Sequence, residues 1–176
     1  HLLPLDEPEA GAAVRAAFEA EGITVHTGGL ASRVGYAHGR FTLTLDDGTE
    51  HVGERLLIAT GRRTFLRELG IEALGLDAAS RFLQTDGLQR VTEGLWAAGD
   101  IAGEGQFTHL ATRQGAIAAA DILGEHPEPL NLAALPRVTF SDPEVGTVGL
   151  RETEARAAGV NVSVAVKPVA HTARGW

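Results

Sequence analysis

The sequence predicts an α/β protein, on three stretches. An amphipathic helix over Asp6 to Gly22 is followed at once by the short apolar run Ile23-Thr-Val25, which makes half of a β-α-β unit. Between Leu30 and Ile58, Phe41, Leu43 and Leu45 alternate with Thr42 and Thr44, the period-two pattern of a sheet with one wet face. Leu95-Trp-Ala-Ala98 is an apolar run of buried-strand length that stops at Gly99-Asp100. A Gly-rich turn then leads into a helical pattern from Thr108.

Each element has its own signals. In the first helix Asp6 can cap the start, Pro8 suits a first turn whose N–H needs no partner, and Glu9 stands at a capping-box position. Val14, Ala17 and Phe18 form its apolar stripe, and Gly22 suits the left-handed residue past a helix end. Asp46-Asp-Gly-Thr49 is a hairpin turn, because Gly48 accepts a positive φ. The chain returns through Val52 to Leu56-Leu-Ile58, apolar throughout and expected as a central strand. Leu66 to Val91 has no sustained period and reads as irregular. The second long helix runs from Thr108 to Leu123, with Leu110, Ala111, Ile117, Ala118 and Ile122 on one side and Gly124 as its stop. Two prolines make His126-Pro-Glu-Pro129 a linker. Pro136 to Phe140 reads as a strand. Glu152 to Ala158 reads as a short helix stopped by Gly159, with the poor cap Arg151 before it. Val160 to Pro168 reads as a last strand.

Composition bounds the function. The 176 residues are 44% hydrophobic, enough for a core, and carry a net charge of −8, which argues against nucleic acid or an anionic membrane as partner. No apolar run approaches the ~18 residues of a membrane span, and no signal-peptide pattern opens the chain. There is no cysteine, so this chain holds no disulfide, thiolate nucleophile or Cys-ligated metal. There is also no methionine, even at position 1, which reads as an internal piece of a longer protein. His1, His26, His38, His51 and His126 lack ligand spacing, so no metal site is expected.

The chemistry gathers in Gly94 to Gly115. A carboxylate where the chain leaves a strand accepts hydrogen bonds from ligand hydroxyls, and the following helix start offers N–H groups. On the residues alone, Asp100 is as readily part of a plain turn as such an acceptor, and a helix cap is a further reading. Arg62 and Arg63 suit a phosphate, a salt bridge or a plain surface position equally well. Asp142 and Glu144 beside Pro143 are better explained by turn chemistry than by acid/base work. No catalytic residue is assigned.

The same stretch closely resembles the second FAD-binding motif of the pyridine nucleotide–disulfide oxidoreductases, an apolar strand ending in Gly-Asp. His109-Leu-Ala-Thr-Arg-Gln-Gly115 is similar to the AH-x-A-x-x-E-G run of the lipoamide dehydrogenases, with Gln114 where that run has Glu. Gln106-Phe107 looks more like the mercuric reductases. Ala59-Thr-Gly-Arg62 matches the family's crossing from the NAD(P) domain to the FAD domain, although Arg63-Thr-Phe65 replaces the usual Arg-Pro-Asn. Leu69-Gly70 and Leu74-Gly-Leu76 resemble its connector. Pro136 to Leu150 matches the signature of its C-terminal dimerisation domain, with Gly146 in place of Ala.

The resemblance implies a fragment of a FAD/NAD(P)-binding Rossmann-like three-layer fold plus the start of an α+β dimerisation domain. Residues 1–60 would close the NAD(P)-binding domain, 61–128 return to the FAD-binding domain, and 129–176 begin the dimerisation domain. It implies that Asp100, after Gly99, bonds the flavin ribityl chain, and that Gln106, Phe107, Thr108 and His109 lie against the flavin largely through backbone atoms. Gly61 would lie near the nicotinamide nucleotide and Leu30 near its adenosine half. His171 lacks the context of the family's catalytic His and is expected at the surface. The implied protein is a cytoplasmic homodimer that passes electrons between NADH or NADPH and a disulfide or small-molecule acceptor through FAD. The redox Cys pair, both GxGxxG loops and the His-Glu pair lie outside this sequence, so the fragment alone is expected to be inactive and a weak FAD binder. The alternatives are a non-catalytic nucleotide-binding or interaction module, and a dithiol-independent quinone-type flavin reductase.

Overall fold

The computed structural model describes residues 1–168, so His171 lies outside the described residues. The elements are α1 (Pro8–Ala20), β1 (Ala31–Ala37), β2 (Arg40–Leu45), β3 (Glu50–Gly53), β4 (Arg90–Thr92), β5 (Leu95–Trp96), α2 (Thr108–Ile122), β6 (Pro136–Thr139), β7 (Val145–Val148) and α3 (Glu152–Ala157). They fall into two compact units. One joins His1–Gly28 to the chain from Pro136 onward, and the other is Gly29–Leu135.

In the first unit α1 begins with Pro8 in its first turn, as expected, but Asp6 does not cap it. Glu7 occupies the cap position and no side chain caps the helix. Asp6 is instead buried, accepting a hydrogen bond from Thr147 Oγ1 at 3.1 Å with the Arg137 guanidinium 3.8 Å away. Glu7 Oε1 accepts from the Glu152 amide at 2.6 Å. Long-range donors on β7 and at the start of α3 thus hold Asp6, which the local pattern assigned to capping, and Glu7, which occupies the cap position instead. Val14 is the buried centre of the apolar stripe. Gly22, at φ +84°, ends the helix: its N–H bonds Glu19 O at 3.0 Å and the Ile23 N–H bonds Phe18 O at 2.9 Å, the paired bonds of a Schellman turn.

β6 and β7 form an antiparallel hairpin, with Pro136 opposite Val148 and Thr139 opposite Val145. Arg151 provides no side-chain cap for α3, as anticipated. Glu154 compensates, accepting from the Arg151 N–H at 3.0 Å and from its guanidinium at 2.6 Å, so the Glu154 carboxyl is held below its usual range.

In the second unit β1, β2 and β3 form an antiparallel meander in that order. The β2–β3 turn is the expected one: Gly48 takes φ +87° and Asp47 Oδ1 accepts from the Thr49 amide at 2.8 Å. The β1–β2 turn, His38-Gly39 at φ +52° and +78°, lacks the Asn-Gly or Asp-Gly signal and was not legible. Leu66, Ile71, Leu83 and Ala97 make the core cluster, so the irregular stretch Leu66–Val91 supplies most of it. Two short 3₁₀ turns, Leu66–Leu69 and Ile71–Leu74, aim the first two inward. α2 buries Leu110, Gln114, Ile117 and Ala118, positions i, i+4, i+7 and i+8. Ile122, expected on that face, is exposed.

Three expected strands do not form. Ile23–Val25, Leu56–Ile58 and Val160–Pro168 pair with no strand among the described residues, and Leu57 is 89% exposed. Apolar β-formers become a strand only where a neighbouring backbone completes the ladder. The run Leu95–Ala98 is strand only over Leu95–Trp96, paired antiparallel with β4.

Candidate functional site

Four elements of the Gly29–Leu135 unit build the site: the segment after Gly61, β5, the short 3₁₀ turn Gly99–Ala102, and α2. Ala97 is buried in the core cluster and fixes the end of β5. The chain then turns at Gly99, whose φ of +81° suits glycine. Its amide donates to Gln114 Oε1 at 2.7 Å, so a side chain on α2 pins the corner. Gln114 Nε2 in turn donates to Glu104 Oε2 at 2.6 Å, and Gln114 is fully buried. Gly103, at φ +76°, closes the turn with its N–H on Asp100 O at 3.3 Å.

Asp100 stands one residue past this pinned corner, with its side chain 42% exposed. Arg62 Nη1 donates to Asp100 Oδ2 at 2.6 Å. Oδ1 carries no partner among the described residues and is left to accept from a ligand. Asp100 does not cap α2: the cap position is Phe107 and no side-chain oxygen serves it. The α2 start therefore keeps an N-terminus that side chains leave uncapped, suited to a polar or negatively polarised ligand atom. Gln106, Thr108 and His109 are exposed there, Phe107 is half-buried, and the Phe107 and His109 rings stack with centroids 5.5 Å apart.

The structure thus brings Gly99, Asp100 and Arg62 together, with Gly61 adjacent in the chain. Thr60 to Phe65 and Ala78 to Arg81 line a groove of about 800 Å³, with the guanidinium-bearing residues Arg62, Arg63 and Arg81 along it. Leu30 stands apart from this cluster. It is 73% exposed at the edge of the meander, where its amide donates to Asp46 Oδ1 at 3.2 Å. No group of three or more His, Cys, Asp or Glu among the described residues could hold a metal ion.

Two sets of residues escaped sequence reasoning. The Arg62–Asp100 pair spans 38 positions, beyond any local spacing rule. The second set is Arg90, Trp96 and Asp121. Arg90 Nε donates to Asp121 Oδ2 at 2.6 Å, Trp96 Nε1 donates to the same oxygen at 2.8 Å, and the Asp121 side chain is 5% exposed. The Arg90 bonds and then the Trp96 bond hold the Asp121 carboxyl below its usual range, and Asp121 raises Arg90. This network ties the β4–β5 hairpin to the end of α2.

Comparison with known proteins gives this geometry its context. The family model described as pyridine nucleotide-disulphide oxidoreductase matches residues 1–115. The chain belongs to this family. The model of the family's dimerisation domain matches residues 135–176. Among curated relatives, the mercuric reductase of Acidithiobacillus ferrooxidans is 38% identical over 157 residues, covering 88% of the chain and 28% of that protein. The dihydrolipoyl dehydrogenase of Chlorobaculum tepidum is 34% identical over 168 residues, covering 93% of the chain and 36% of that protein. Among solved structures, LpdA of Mycobacterium tuberculosis superposes with a TM-score of 0.82 at 27% identity, over 91% of the chain and 35% of that structure's chain. The flavoprotein disulfide reductase RclA of Escherichia coli, at 24% identity and TM-score 0.83, shares the fold. The chain therefore spans only about a third of its relatives' length, 28% and 36% in the two named above. No helix among the described residues is long and apolar enough to cross a membrane.

Proposed function

We propose that this chain supplies the ribityl side of a flavin site, and part of a subunit contact, in an FAD-dependent oxidoreductase. That enzyme moves electrons between NADH or NADPH and a disulfide-type or related acceptor. The observation that carries the reading is the Gly99–Asp100 corner: a backbone turn pinned by Gln114, presenting a carboxylate with one oxygen unclaimed beside an uncapped helix start.

The residues fit the cofactor chemically. A ribityl chain is a row of hydroxyls, and Asp100 Oδ1 is an acceptor with no competing donor. A flavin ring that gains negative charge on reduction is favoured by the positive end of α2. Bound FAD supplies the redox chemistry, and the chain's own residues bind and orient it. Arg62 donates to Asp100 Oδ2, Phe107 and His109 offer a stacked ring pair beside the helix start, and Gln106 and Thr108 offer backbone groups. In the same reading residues 1–60 finish the NAD(P) domain, with Leu30 and Gly61 toward its nucleotide, 61–128 return to the FAD domain, and 129–176 open a homodimer interface in a cytoplasmic enzyme.

The test is the spectrum of the complete polypeptide that carries this segment. It is expected to purify with flavin absorption bands that bleach on addition of NADH or NADPH without air. A colourless protein that takes up no added FAD would end the proposal.

A further inference from the structure

We infer that Gln114 is a positioning residue for the Gly99–Asp100 corner, and that Glu104 sets which way its amide faces. The inference rests on the proposed role of Asp100. Gln114 sits on the buried face of α2, fully enclosed among Leu110, Ile117 and Ala118. A buried amide at the centre of an apolar face is costly unless both of its ends are used. Both are: Oε1 accepts from the Gly99 N–H at 2.7 Å and Nε2 donates to Glu104 Oε2 at 2.6 Å.

The orientation is forced. The Gly99 N–H can only donate, so it needs an oxygen. The Glu104 carboxylate can only accept, so it needs an N–H. Turning the amide over would set donor against donor and acceptor against acceptor. A leucine would leave the Gly99 N–H without a partner. A glutamate would serve Gly99 but would set a second carboxylate against Glu104 at hydrogen-bond distance, where both cannot stay ionised without strong repulsion. Position 114 is therefore read jointly with position 104: with Glu at 104, only a neutral side chain bearing both a donor and an acceptor fits.

The consequence for the site follows from chain geometry. The hydrogen bond that Gln114 accepts comes from the residue before Asp100, at a left-handed turn where a Cβ on Gly99 would meet the Ala111 Cβ at 3.5 Å. Fixing that N–H fixes the Ala98–Gly99 peptide, one residue before Asp100, and so restrains where the carboxylate points. Loss of the clamp frees the corner and spreads the carboxylate over positions from which it misses the ligand hydroxyl.

A double-mutant cycle in the complete polypeptide tests this, reading FAD affinity by flavin fluorescence and stability by thermal unfolding. Q114E is expected to weaken FAD binding on the order of tenfold, as for loss of a hydrogen bond to a charged group, and to lower the unfolding midpoint. E104Q alone should change both by little, because an amide at 104 still accepts from Gln114 Nε2. E104Q combined with Q114E should restore FAD affinity to within about twofold of wild type, since the amide at 104 then donates to the introduced carboxylate. A residue that merely fills space would show no such rescue. Failure of E104Q to rescue Q114E, in affinity and in midpoint alike, overturns the inference. D100N run in parallel separates the two claims. If D100N leaves FAD affinity unchanged while the cycle still shows rescue, the Asp100 reading fails and the Gln114–Glu104 pairing stands. If the protein takes up no FAD, the unfolding midpoints alone decide the pairing.

Discussion

Gly103→Ala attacks the turn that carries Asp100, and its cost can be worked from two separate terms. Gly103 sits at φ +76°, where an L-residue with a Cβ costs about 1–2 kcal/mol. A Cβ there would also stand 2.6 Å from Phe82 Cγ and 2.9 Å from Phe82 Cβ. These are the root of the ring, not a flexible tip, so Phe82 must move bodily. Overpacking of that kind adds ~1–3 kcal/mol, for a total of about 2–5 kcal/mol. Gly124 is the internal control: at φ +75° it closes α2, but a Cβ there meets nothing within 4 Å. Gly124→Ala should cost only the backbone term of about 1–2 kcal/mol. The assay is urea unfolding of both variants in the complete polypeptide. G103A should be the worse by at least ~1 kcal/mol, and removing Cγ and the ring with F82A should recover part of the difference in G103A but none in G124A. Equal losses at the two glycines, or no recovery with F82A, would refute the packing around the Gly99–Ala102 turn.

Three more outcomes are expected. Ile117→Ala removes a side chain that is 1% exposed, and should cost about 2–5 kcal/mol in the same unfolding assay; Leu57→Ala, at a residue 89% exposed, should cost almost nothing in the isolated chain. Asp121 has a folded-state pKa depressed first by the Arg90 hydrogen bonds and then by Trp96. Its stabilising contribution is thus fully present above the unfolded carboxylate value of about 3.9 and is lost as pH falls through the lower folded value. Thermal midpoints of D121N should therefore fall less steeply below pH ~4 than those of wild type; parallel acid limbs would contradict the network. The 176-residue chain expressed alone should self-associate, because Leu57, Phe140 and Val166 are 89%, 85% and 75% exposed. Sedimentation as a clean monomer would count against that.

What could be read from the sequence was what neighbouring residues decide. α1, α2 and α3 were legible within a residue or two, because apolar spacing marks their faces and Gly22, Gly124 and Gly159 stop them. Each of these glycines is at positive φ and closes its helix with the same pair of backbone bonds. The Asp47-Gly48 turn was legible for the same local reason. The failures are non-local. Leu56–Ile58 has the composition of a central strand, yet strand formation is decided by a neighbouring backbone that composition does not specify. Asp6 looked like a cap until Thr147 and Arg137, far along the chain, claimed it. Ile122 continues the apolar pattern of α2 past the point where anything packs on it.

The site divides along the same line. Gly99 and Asp100 were visible as the end of an apolar run before a helix, and the structure sets them at a pinned corner. Arg62 was left among a phosphate, a salt bridge and a plain surface position; its 2.6 Å contact with Asp100 gives it the second role in this structure. Gln114 was noticed only as a departure from the family's Glu. Its meaning needs Glu104, ten residues away on a loop that no periodicity describes.

FAD affinity of D100A beside R62A in the complete polypeptide bears most directly on the flavin-holding role of Asp100. Removing the carboxylate should weaken binding by roughly tenfold or more, the scale of a hydrogen bond to a charged group, while removing Arg62 should weaken it less, because the acceptor remains and only its restraint is lost. If D100A held FAD as tightly as wild type, the corner would be a turn and nothing more.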